Sequence, residues 1–528
     1  MTAPTAAASQ APSLPHAGGP PPSPGYDLPH RDKMVTMAGS LIGLFLAALD
    51  QTVVGTAGPA IQKDLHIVPA LYPWLTTAYL VATTVMVPVY GKLSDQVGRK
   101  RVLLAGIVLF LGGSMLCGFA WSTWSLIGFR AAQGLGAAAL YTSAFSVIAD
   151  LYPPAERGKY QGLFGAVFGV SSVVGPLLGG FLTDRLSWHW VFFVNLPLGL
   201  LAIALVWRRM PNITLRKPGE ALHVDIPGAL LLIASIAPFL VALSFGRTQV
   251  VPGEAGLPWG SPMIIGLFAL SVVSGVLFVW QERRAAEPIM DFSLFSESTY
   301  AFSNAGSLIL GMSFLAGPVF LPLFLVNVVG VSATKAGLGM LPLTLGIVAG
   351  AATGSQVASR SGRYKPVLLV AMALLLSGFL LMATTLSSDS SLLTVSMRMA
   401  LVGLGMGPTL PLFTMAIQNA VTMDKIGVAT ASVTFSRALG QVLGVAVMGS
   451  IFAGILGAAA AEVGVEGGLS AVGALAATPA GREAITHGIR MLFATGLGVA
   501  IIGTLVTLRL PDVRLARRQR ATAPALPD

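Results

Sequence analysis

Long apolar segments separated by short polar ones dominate this chain of 528 residues. Each segment is long enough to cross the roughly 30 Å hydrocarbon core of a bilayer as a helix. The pattern therefore predicts fourteen membrane-spanning helices. They cover approximately residues 35–58, 72–91, 102–121, 125–149, 160–183, 189–207, 225–245, 262–281, 300–327, 336–359, 366–386, 394–418, 427–456 and 487–508.

The composition agrees with this pattern. Hydrophobic residues make up 54% of the chain and charged residues only 10%, whereas soluble domains carry about a quarter charged residues. The predicted fold class is an all-α polytopic membrane protein. An even number of spans places both termini on one side of the membrane.

The basic residues indicate which side that is. Most of the 32 Lys and Arg residues fall in the tails and in loops on the side of the termini, so the positive-inside rule predicts cytoplasmic termini in a cell membrane. Topology and contact with anionic lipids then explain the net charge of +10, and no nucleic-acid partner is expected. Residues 1–34 are predicted to be a disordered tail. Residues 509–528 form a basic tail whose Arg514–Arg520 cluster would bind lipid headgroups.

Several classes of site are unsupported. Cys117 is the only cysteine, which excludes an intramolecular disulfide and a cysteine metal cluster. No GxxxxGK[ST] motif occurs, so coupling to ATP through a P-loop is unsupported and an ion gradient has to supply energy. No cofactor or metal is expected. A membrane enzyme would need a cluster of His, Asp or Ser on one membrane face, and the sequence offers none.

A short charged loop lies between the second and third predicted spans, with the sequence Gly91-Lys-Leu-Ser-Asp-Gln-Val-Gly-Arg-Lys-Arg101. A loop that only orients the chain needs basic residues, yet this one also holds Asp95. Gly91 and Gly98 are predicted to shape a tight turn. A second copy, Ser355–Arg363, aligns Gly362 with Gly98. The repeat predicts two six-helix bundles, at 35–207 and 300–508, with two extra spans in the linker 208–299.

The loop and its repeat are similar to the signature loop of the major facilitator superfamily of transporters. Twelve spans plus a central pair resemble its fourteen-span drug/proton antiporter branch. Four further segments resemble motifs of that branch: Leu49–Pro59 in the first span, Trp188–Gly199 at the sixth, Asp225–Gly228 at the seventh and Ser332–Pro342 in the second half. The likeness covers roughly residues 35–510 and implies a transporter. It says little about the substrate.

The fifth span carries the glycine pattern that this resemblance associates with antiporters. Positions 171, 175 and 179 recur every four residues, so they form one stripe of small side chains that lets a neighbouring helix approach closely. Pro176 favours a kink. Tight packing alone explains such a stripe, and a close helix contact can also seal one face of a transporter. The motif comprises Gly162, Ser171, Gly175, Pro176, Gly179 and Gly180.

Charges inside a bilayer are costly and usually functional. Asp50 in the first span and Arg130 in the fourth lie at similar depths, so we expect them to share one cavity. A carboxylate there would bind a proton or a cationic substrate. A purely structural Asp50 that never titrates is the alternative. No acid of the second half falls deep in a predicted span, which favours neutral or monocationic lipophiles over dications.

The charged loop is predicted to act as a latch between the halves. The thirteenth span begins near Gly427 on the same side, and its helix N-terminus carries partial positive charge that would attract Asp95. Arg99 is expected to pair with Asp150 at the end of the fourth span. Both contacts are predicted to be semi-exposed and worth about 1 kcal/mol each. Arg437 resembles another motif of the branch and is expected to organise the contact between the halves.

Taken together, the sequence predicts a monomeric, proton-driven exporter of small lipophilic compounds that works by alternating access. A lipid or lipophilic-metabolite flippase of the same fold is the alternative. A receptor or structural membrane protein would not need Asp50 buried. The stretch Leu456–Arg490, between the last two spans, is predicted to be an exposed connector, with a short helix or lid as the alternative.

Overall fold

The structure is a computed structural model, and it describes most of the chain between residues 28 and 512. Residues 1–27 of the predicted disordered tail and the Arg514–Arg520 cluster lie outside the described residues. The prediction of disorder is wrong for the last residues of the 1–34 tail, because a helix begins at His30. The described ranges are 28–67, 71, 74–152, 154–211, 225–245, 257–285, 288–314, 316–331, 333–422, 425–463 and 472–512.

Nine helices cover the first half and the central linker. The sixth predicted span is divided into two helices that meet near Val194. The helices are α1 (His30–Asp64), α2 (Trp74–Val97), α3 (Arg99–Gly118), α4 (Thr123–Leu151), α5 (Pro154–Arg185), α6 (Trp190–Phe193), α7 (Asn195–Arg209), α8 (Ile226–Phe245) and α9 (Pro262–Glu282).

Ten further helices cover the second half. A short 3-10 helix, Phe292–Ser296, precedes them. The helices are α10 (Ser298–Phe314), α11 (Ala316–Asn327), α12 (Ala333–Gly339), α13 (Leu341–Ser361), α14 (Lys365–Thr385), α15 (Leu392–Met406), α16 (Thr409–Ala420), α17 (Ile426–Val463), α18 (Val472–Ala476) and α19 (Pro479–Arg509).

The predicted all-α membrane fold is confirmed. Thirteen stretches of the described residues are helical, long and apolar enough to cross a membrane. The remaining predicted span, 300–327, corresponds to α10 and α11, which lie on either side of residue 315. The count of fourteen spans therefore stays a prediction, as do the domain boundaries.

The two halves repeat the same local structure where their third and eleventh predicted spans begin. Gly98 has φ 108° and Gly362 has φ 70°, both in the left-handed region that side chains disfavour. A lysine just beyond each glycine then binds the end of a later helix: Lys100 Nζ donates to Trp207 O at 2.7 Å, and Lys365 Nζ donates to Leu508 O at 2.8 Å. Lysine commonly satisfies free carbonyls at helix C-termini.

Each half has its own hydrophobic core. In the first half, Leu44, Phe110 and Leu140 are buried among α1, α3 and α4. The core of the second half brings together α10–α19. A smaller cluster joins the halves to the central pair: it includes Val87 of α2 and Phe435 of α17 together with residues of α8 and α9.

The halves meet mainly at one end of the bundle, the end that carries Gly98, which we call the Gly98 end. Here α2 packs on α17 and α5 packs on α13. The α2–α17 contact is tight: a Cβ atom at Gly91 would overlap Ala431 and lie 3.1 Å from Gly427 O. The described structure is therefore closed between the halves at the Gly98 end.

The central linker is tied to the second half by an ion pair. Asp291 Oδ2 lies 2.6 Å from Lys425 Nζ, just before α17. Partial burial alone would raise the pKa of Asp291, but the bonds from Lys425 and Ser293 outweigh it and lower the pKa below the usual carboxyl value. The pair therefore stabilises this contact above the ordinary carboxyl pKa and weakens as the pH falls through the lowered value.

The predicted exposed connector between the last two spans is wrong where the structure describes it. α17 continues to Val463 and α19 begins at Pro479, so helix replaces much of the 456–490 stretch. The short helix α18 lies between them, with Val472 and Leu475 buried. Alanine has the highest helix propensity, and the run Ala458–Ala461 favours the continuation of α17.

Candidate functional site

Asp50 of α1 and Arg130 of α4 form an ion pair inside the first half. Asp50 Oδ2 lies 2.5 Å from Arg130 Nη1, and the side chains are fully shielded from solvent. Gln133, one turn after Arg130, donates to Asp50 Oδ1 at 2.8 Å and accepts from Arg130 Nη1 at 2.7 Å. The three residues thus form a closed triangle in which both carboxylate oxygens of Asp50 are engaged.

Other helices complete the network. Asn195 at the start of α7 donates to Asp50 Oδ1 at 3.2 Å and to Ser114 Oγ of α3 at 3.0 Å. Arg130 Nε donates to the carbonyl of Leu75 in α2 at 2.8 Å. Asp50 and Arg130 therefore connect α1, α2, α3, α4 and α7 through hydrogen bonds, so a change in the charge of either one reaches most of the first half.

Aromatic rings enclose the guanidinium. Its carbon lies 4.5 Å from the centre of the Tyr79 ring and 6.0 Å from that of Phe192. Cation–π attraction is stronger where water is excluded. Even so, Arg130 Nη2 is buried without a hydrogen-bond partner in the described structure, as is Asn195 Oδ1. The site holds spare hydrogen-bonding capacity, which is unusual for groups this deeply buried.

The expectation that Asp50 and Arg130 line an open cavity is wrong for this conformation. They do meet, but within the bundle of the first half, and Asp50 is only 1% exposed. Depth along a span can be estimated from the sequence, whereas the direction in which a side chain points depends on how the helix is rotated against its neighbours. A proton or cation can reach Asp50 only if the network opens.

A second charged cluster lies at the Gly98 end. Arg99 Nε donates to Asp150 Oδ2 at 2.7 Å. The same guanidinium pairs with Asp95 and donates to Ser94 Oγ. Arg99 thus connects the end of α2, the start of α3 and the end of α4.

Arg157, near the start of α5, supports this corner of the first half. It is buried and donates to Tyr152 O and Ala149 O at 3.0 Å each. It thereby satisfies carbonyls at the end of α4 that have no partner within the helix. Sequence reasoning missed Arg157, although an arginine soon after a helix end is a common partner for such carbonyls.

The carboxylate of Asp95 lies against the first turn of α17. A Cβ atom at Gly427 would overlap this carboxylate. The described structure therefore brings together the residues of the predicted latch, with Asp95 at the helix N-terminus and Arg99 on Asp150. Their role as a latch stays a prediction.

Two details of the predicted latch are wrong. The contacts are not semi-exposed, since Arg99 is 1% exposed, Asp150 0% and Asp95 6%. Their loss should therefore cost more than the expected 1 kcal/mol, because it leaves a buried charge without its partner. Gly91 does not shape a turn either: it lies within α2, and its missing side chain makes room for Ala431.

The glycines of α5 face two different helices. A Cβ atom at Gly162 would lie 3.1 Å from Ala352 Cα, and one at Gly165 would lie 2.6 Å from Ala351 Cβ. A Cβ atom at Gly169 would overlap Val348. These three positions therefore set the contact with α13 of the other half. Gly165 and Gly169 were missed, although their spacing of four residues is the same signal that identified the predicted stripe.

The predicted stripe itself packs within the first half. Ser171 O accepts a hydrogen bond from Thr52 Oγ1 of α1 at 2.9 Å. Side chains at Gly175 and Gly179 would overlap Thr52 and Thr56, whereas Gly180 has open space around it. The stripe thus holds α5 against α1, two residues from Asp50. The Pro176 side chain lies outside what the structure describes.

Arg437 of α17 lies between the halves. Its guanidinium carbon is 5.6 Å from the centre of the Phe145 ring of α4. On its own side, a Cβ atom at Gly311 of α10 would lie 2.5 Å from Arg437 O. The residue therefore contacts both halves, as a half-to-half organiser would, although that role stays a prediction.

We expect Gly427→Ala to weaken the closed contact at the Gly98 end, because the new methyl group would displace the Asp95 carboxylate. Spin labels on cysteines introduced at the exposed positions Arg208 and Arg360 would report the separation of the halves. The native Cys117 is buried, so labelling should be selective. The variant should show a larger share of long distances.

Gly112→Ala is the matched control for this variant. Gly112 lies in α3 with nothing within 4 Å of a Cβ atom, so its substitution should leave the distances unchanged. A Gly427→Ala protein with the wild-type distribution would show that the fit of Asp95 against α17 does not govern closure.

Comparisons with known proteins identify the family. The pattern of the Major Facilitator Superfamily matches residues 40–445. Multidrug transporter protein MdtP of Bacillus subtilis (strain 168) is 37% identical over 419 residues, which cover 79% of this chain and 75% of that protein. The Tetracenomycin C resistance and export protein of Streptomyces glaucescens is 30% identical over 438 residues, covering 83% and 79%.

A solved structure shows the same fold at low sequence identity. The crystal structure of the human organic anion transporter MFSD10 (TETRAN) superposes with a TM-score of 0.58 at 15% identity, over 90% of this chain and 100% of that one. This likeness concerns the fold alone. The family pattern and the relatives show a multi-pass membrane transporter rather than an enzyme. The chain belongs to the Major Facilitator Superfamily.

Proposed function

We propose that this protein exports small lipophilic compounds across the cell membrane in exchange for protons, by alternating access. Both termini would be cytoplasmic, which places the Gly98 end on the cytoplasmic side, and the protein would act as a monomer. A relative named as a multidrug transporter supports drugs as substrates, and one named as a tetracenomycin C resistance and export protein supports outward transport.

The observation that carries proton coupling is the buried Asp50–Arg130 pair. Asp50 of α1 bonds directly to residues of α4 and α7, and Arg130 and Asn195 extend the network to α2 and α3. Protonation would neutralise the carboxylate and leave the Arg130 charge without its partner in a low-dielectric site, which is strongly unfavourable. The first half would then have to rearrange, so that binding of a proton changes the conformation.

The two charged clusters would work in sequence. While Asp50 is ionised, its network keeps the first half rigid, and the contact of Asp95 with α17 favours the state that is closed at the Gly98 end. Protonation from outside would loosen the first half and let that end open to collect substrate. Release of the proton to the cytoplasm would restore the pair and reclose the protein. Net transport needs only a modest bias between two states of similar free energy.

A vesicle assay tests this proposal. Inverted membrane vesicles that contain the protein should accumulate a lipophilic dye only while their interior is acidic, and should lose it when an ionophore collapses the pH gradient. Vesicles without the protein are the control. Accumulation that is unaffected by the ionophore would contradict proton coupling, and the absence of any accumulation across a panel of dyes would contradict efflux.

The charge of the substrate needs a separate assignment. The sequence favours neutral or monocationic compounds over dications because Asp50 is the one acid predicted to lie deep in a span. In the described structure the Asp50 carboxylate is taken up by Arg130, Gln133 and Asn195, and a cation would have to compete with Arg130 for it.

A further inference from the structure

We propose that Arg437 binds an acidic group of the substrate, so that lipophilic anions are preferred over cations. The proposal rests on the proposed transport function and adds a substrate class to it. Arg437 lies about three turns into α17, between α10 and α16 of its own half and α4 of the other. A substrate that moves between two halves has to pass such a position.

Arg437 has no carboxylate partner among the described residues. Arg99, Arg130 and Arg363, by contrast, each pair with a described carboxylate. A guanidinium in the interior of a membrane protein is costly unless an anion or hydrogen-bond acceptors compensate it. Arg437 is partly exposed, so a ligand that enters from the space between the halves can supply that compensation.

The contact with Phe145 does not supply an anion or a hydrogen-bond acceptor for the guanidinium. The ring lies 5.6 Å from the guanidinium carbon, and a cation–π contact is made by the face of the guanidinium. It leaves the five N–H donors, which lie in the guanidinium plane, free to bind a carboxylate. The ring and the carboxylate of an aromatic acid could then be bound together.

The surroundings of Arg437 suit an aromatic or otherwise apolar acid. The space beside it is lined by Phe314, Phe413 and Leu410, and its cavity volume of about 10 Å³ is just enough for one water molecule. A ring does not fit there while the halves are closed, so we expect an acid to bind at Arg437 once the halves have moved apart. Ser307 also lines this space, and its hydroxyl makes no hydrogen bond in the described structure. This hydroxyl is therefore a further donor for a carboxylate.

The backbone holds Arg437 in a defined position. A side chain at Gly311 of α10 would collide with the backbone oxygen of Arg437. A side chain at Gly440 of α17 would collide with that of Leu308. The two helices therefore pack backbone to backbone on either side of the arginine. A charged group on such a rigid contact is preorganised for a ligand, because little ordering is needed on binding.

Two dyes with one ring system and opposite charge test the proposal. Fluorescein is anionic and tetramethylrhodamine methyl ester is cationic, and both are xanthenes. Binding of each to the purified full-length protein in detergent can be followed by fluorescence polarisation without a pH gradient. The wild type should bind fluorescein more tightly. Arg437→Gln should weaken fluorescein binding at least about ten-fold, the factor that corresponds to 1.4 kcal/mol, and leave the cationic dye within about two-fold.

Two further variants make the result specific. Arg437→Lys keeps the charge but cannot form the bidentate hydrogen bonds that arginine makes with a carboxylate. It should weaken fluorescein binding less than Arg437→Gln does. Arg398→Gln is the matched control: Arg398 lies in α15 and donates to Thr385 O at 3.1 Å, so its loss should change neither dye.

Three results would overturn the proposal. Equal weakening of both dyes in Arg437→Gln would make Arg437 an organiser of the contact between the halves. Unchanged fluorescein binding in that variant would remove it from recognition. A wild-type protein that prefers the cationic dye, or binds neither, would contradict the assigned substrate class. None of these results depends on a proton gradient, so a failure of proton coupling in the vesicle assay remains distinguishable.

Discussion

Asp50→Asn should abolish transport driven by a pH gradient, because it removes the buried carboxylate that we propose to titrate. It should also lower stability, since Arg130 keeps its charge and loses its partner at 2.5 Å. Breaking a buried ion pair from one side typically costs about 3–5 kcal/mol, and the amide oxygen that remains places the expected loss near the lower value. Dye accumulation in inverted vesicles and thermal unfolding in detergent measure the two effects.

The double variant Asp50→Asn with Arg130→Gln separates coupling from folding. It removes both charges, so much of the lost stability should return, while gradient-driven transport should stay absent. Asp50→Glu keeps a titratable group and should retain partial transport. Uphill dye transport by a well-folded Asp50→Asn protein would show that the proton binds elsewhere.

Arg99→Ala should shift the protein away from the state closed at the Gly98 end and destabilise it. Arg99 is the cation that the buried carboxylates of Asp95 and Asp150 share. Its removal leaves two like charges in one poorly solvated place, with a cost of about 3–5 kcal/mol. Labels at Arg208 and Arg360 should report longer distances, and unfolding should begin at a lower temperature.

A neighbouring residue provides the control for this variant. Arg101→Ala removes an exposed cation two residues further along the first turn of α3. It should change neither the label distances nor the stability appreciably. Adding Asp95→Asn to Arg99→Ala should recover part of the stability by removing one of the stranded charges. Wild-type distances in Arg99→Ala would reduce this cluster to a structural support of the first half.

Much of the fold was accessible from the sequence because lipid imposes simple rules on it. A helix that crosses a membrane satisfies its own backbone, so apolar runs such as 262–281 mark helices such as α9 closely. The repeated glycine was equally informative: Gly98 and Gly362 both adopt positive φ, which is why each copy of the loop contains one.

The arrangement of the site was less accessible. The sequence placed Asp50 and Arg130 at one depth, but the rotation of α1 that buries Asp50 results from its packing on α5 through Thr52 and Gly175. Burial of Arg99 depends in the same way on the packing of α2 and α4 around it. Polar partners such as Gln133 and Asn195 are neutral. A neutral side chain in an apolar span is not conspicuous in the sequence, because burying it costs less than burying a charge.

Proton movement driven by substrate tests the central proposal most directly. Purified protein would be reconstituted into liposomes that contain a pH-sensitive dye, with no gradient imposed at the start. Addition of a transported compound to the wild type should move protons across the membrane in the opposite direction. The same addition should move no protons in Asp50→Asn. Substrate transport by the wild type without proton movement, or proton movement that persists in Asp50→Asn, would contradict the account.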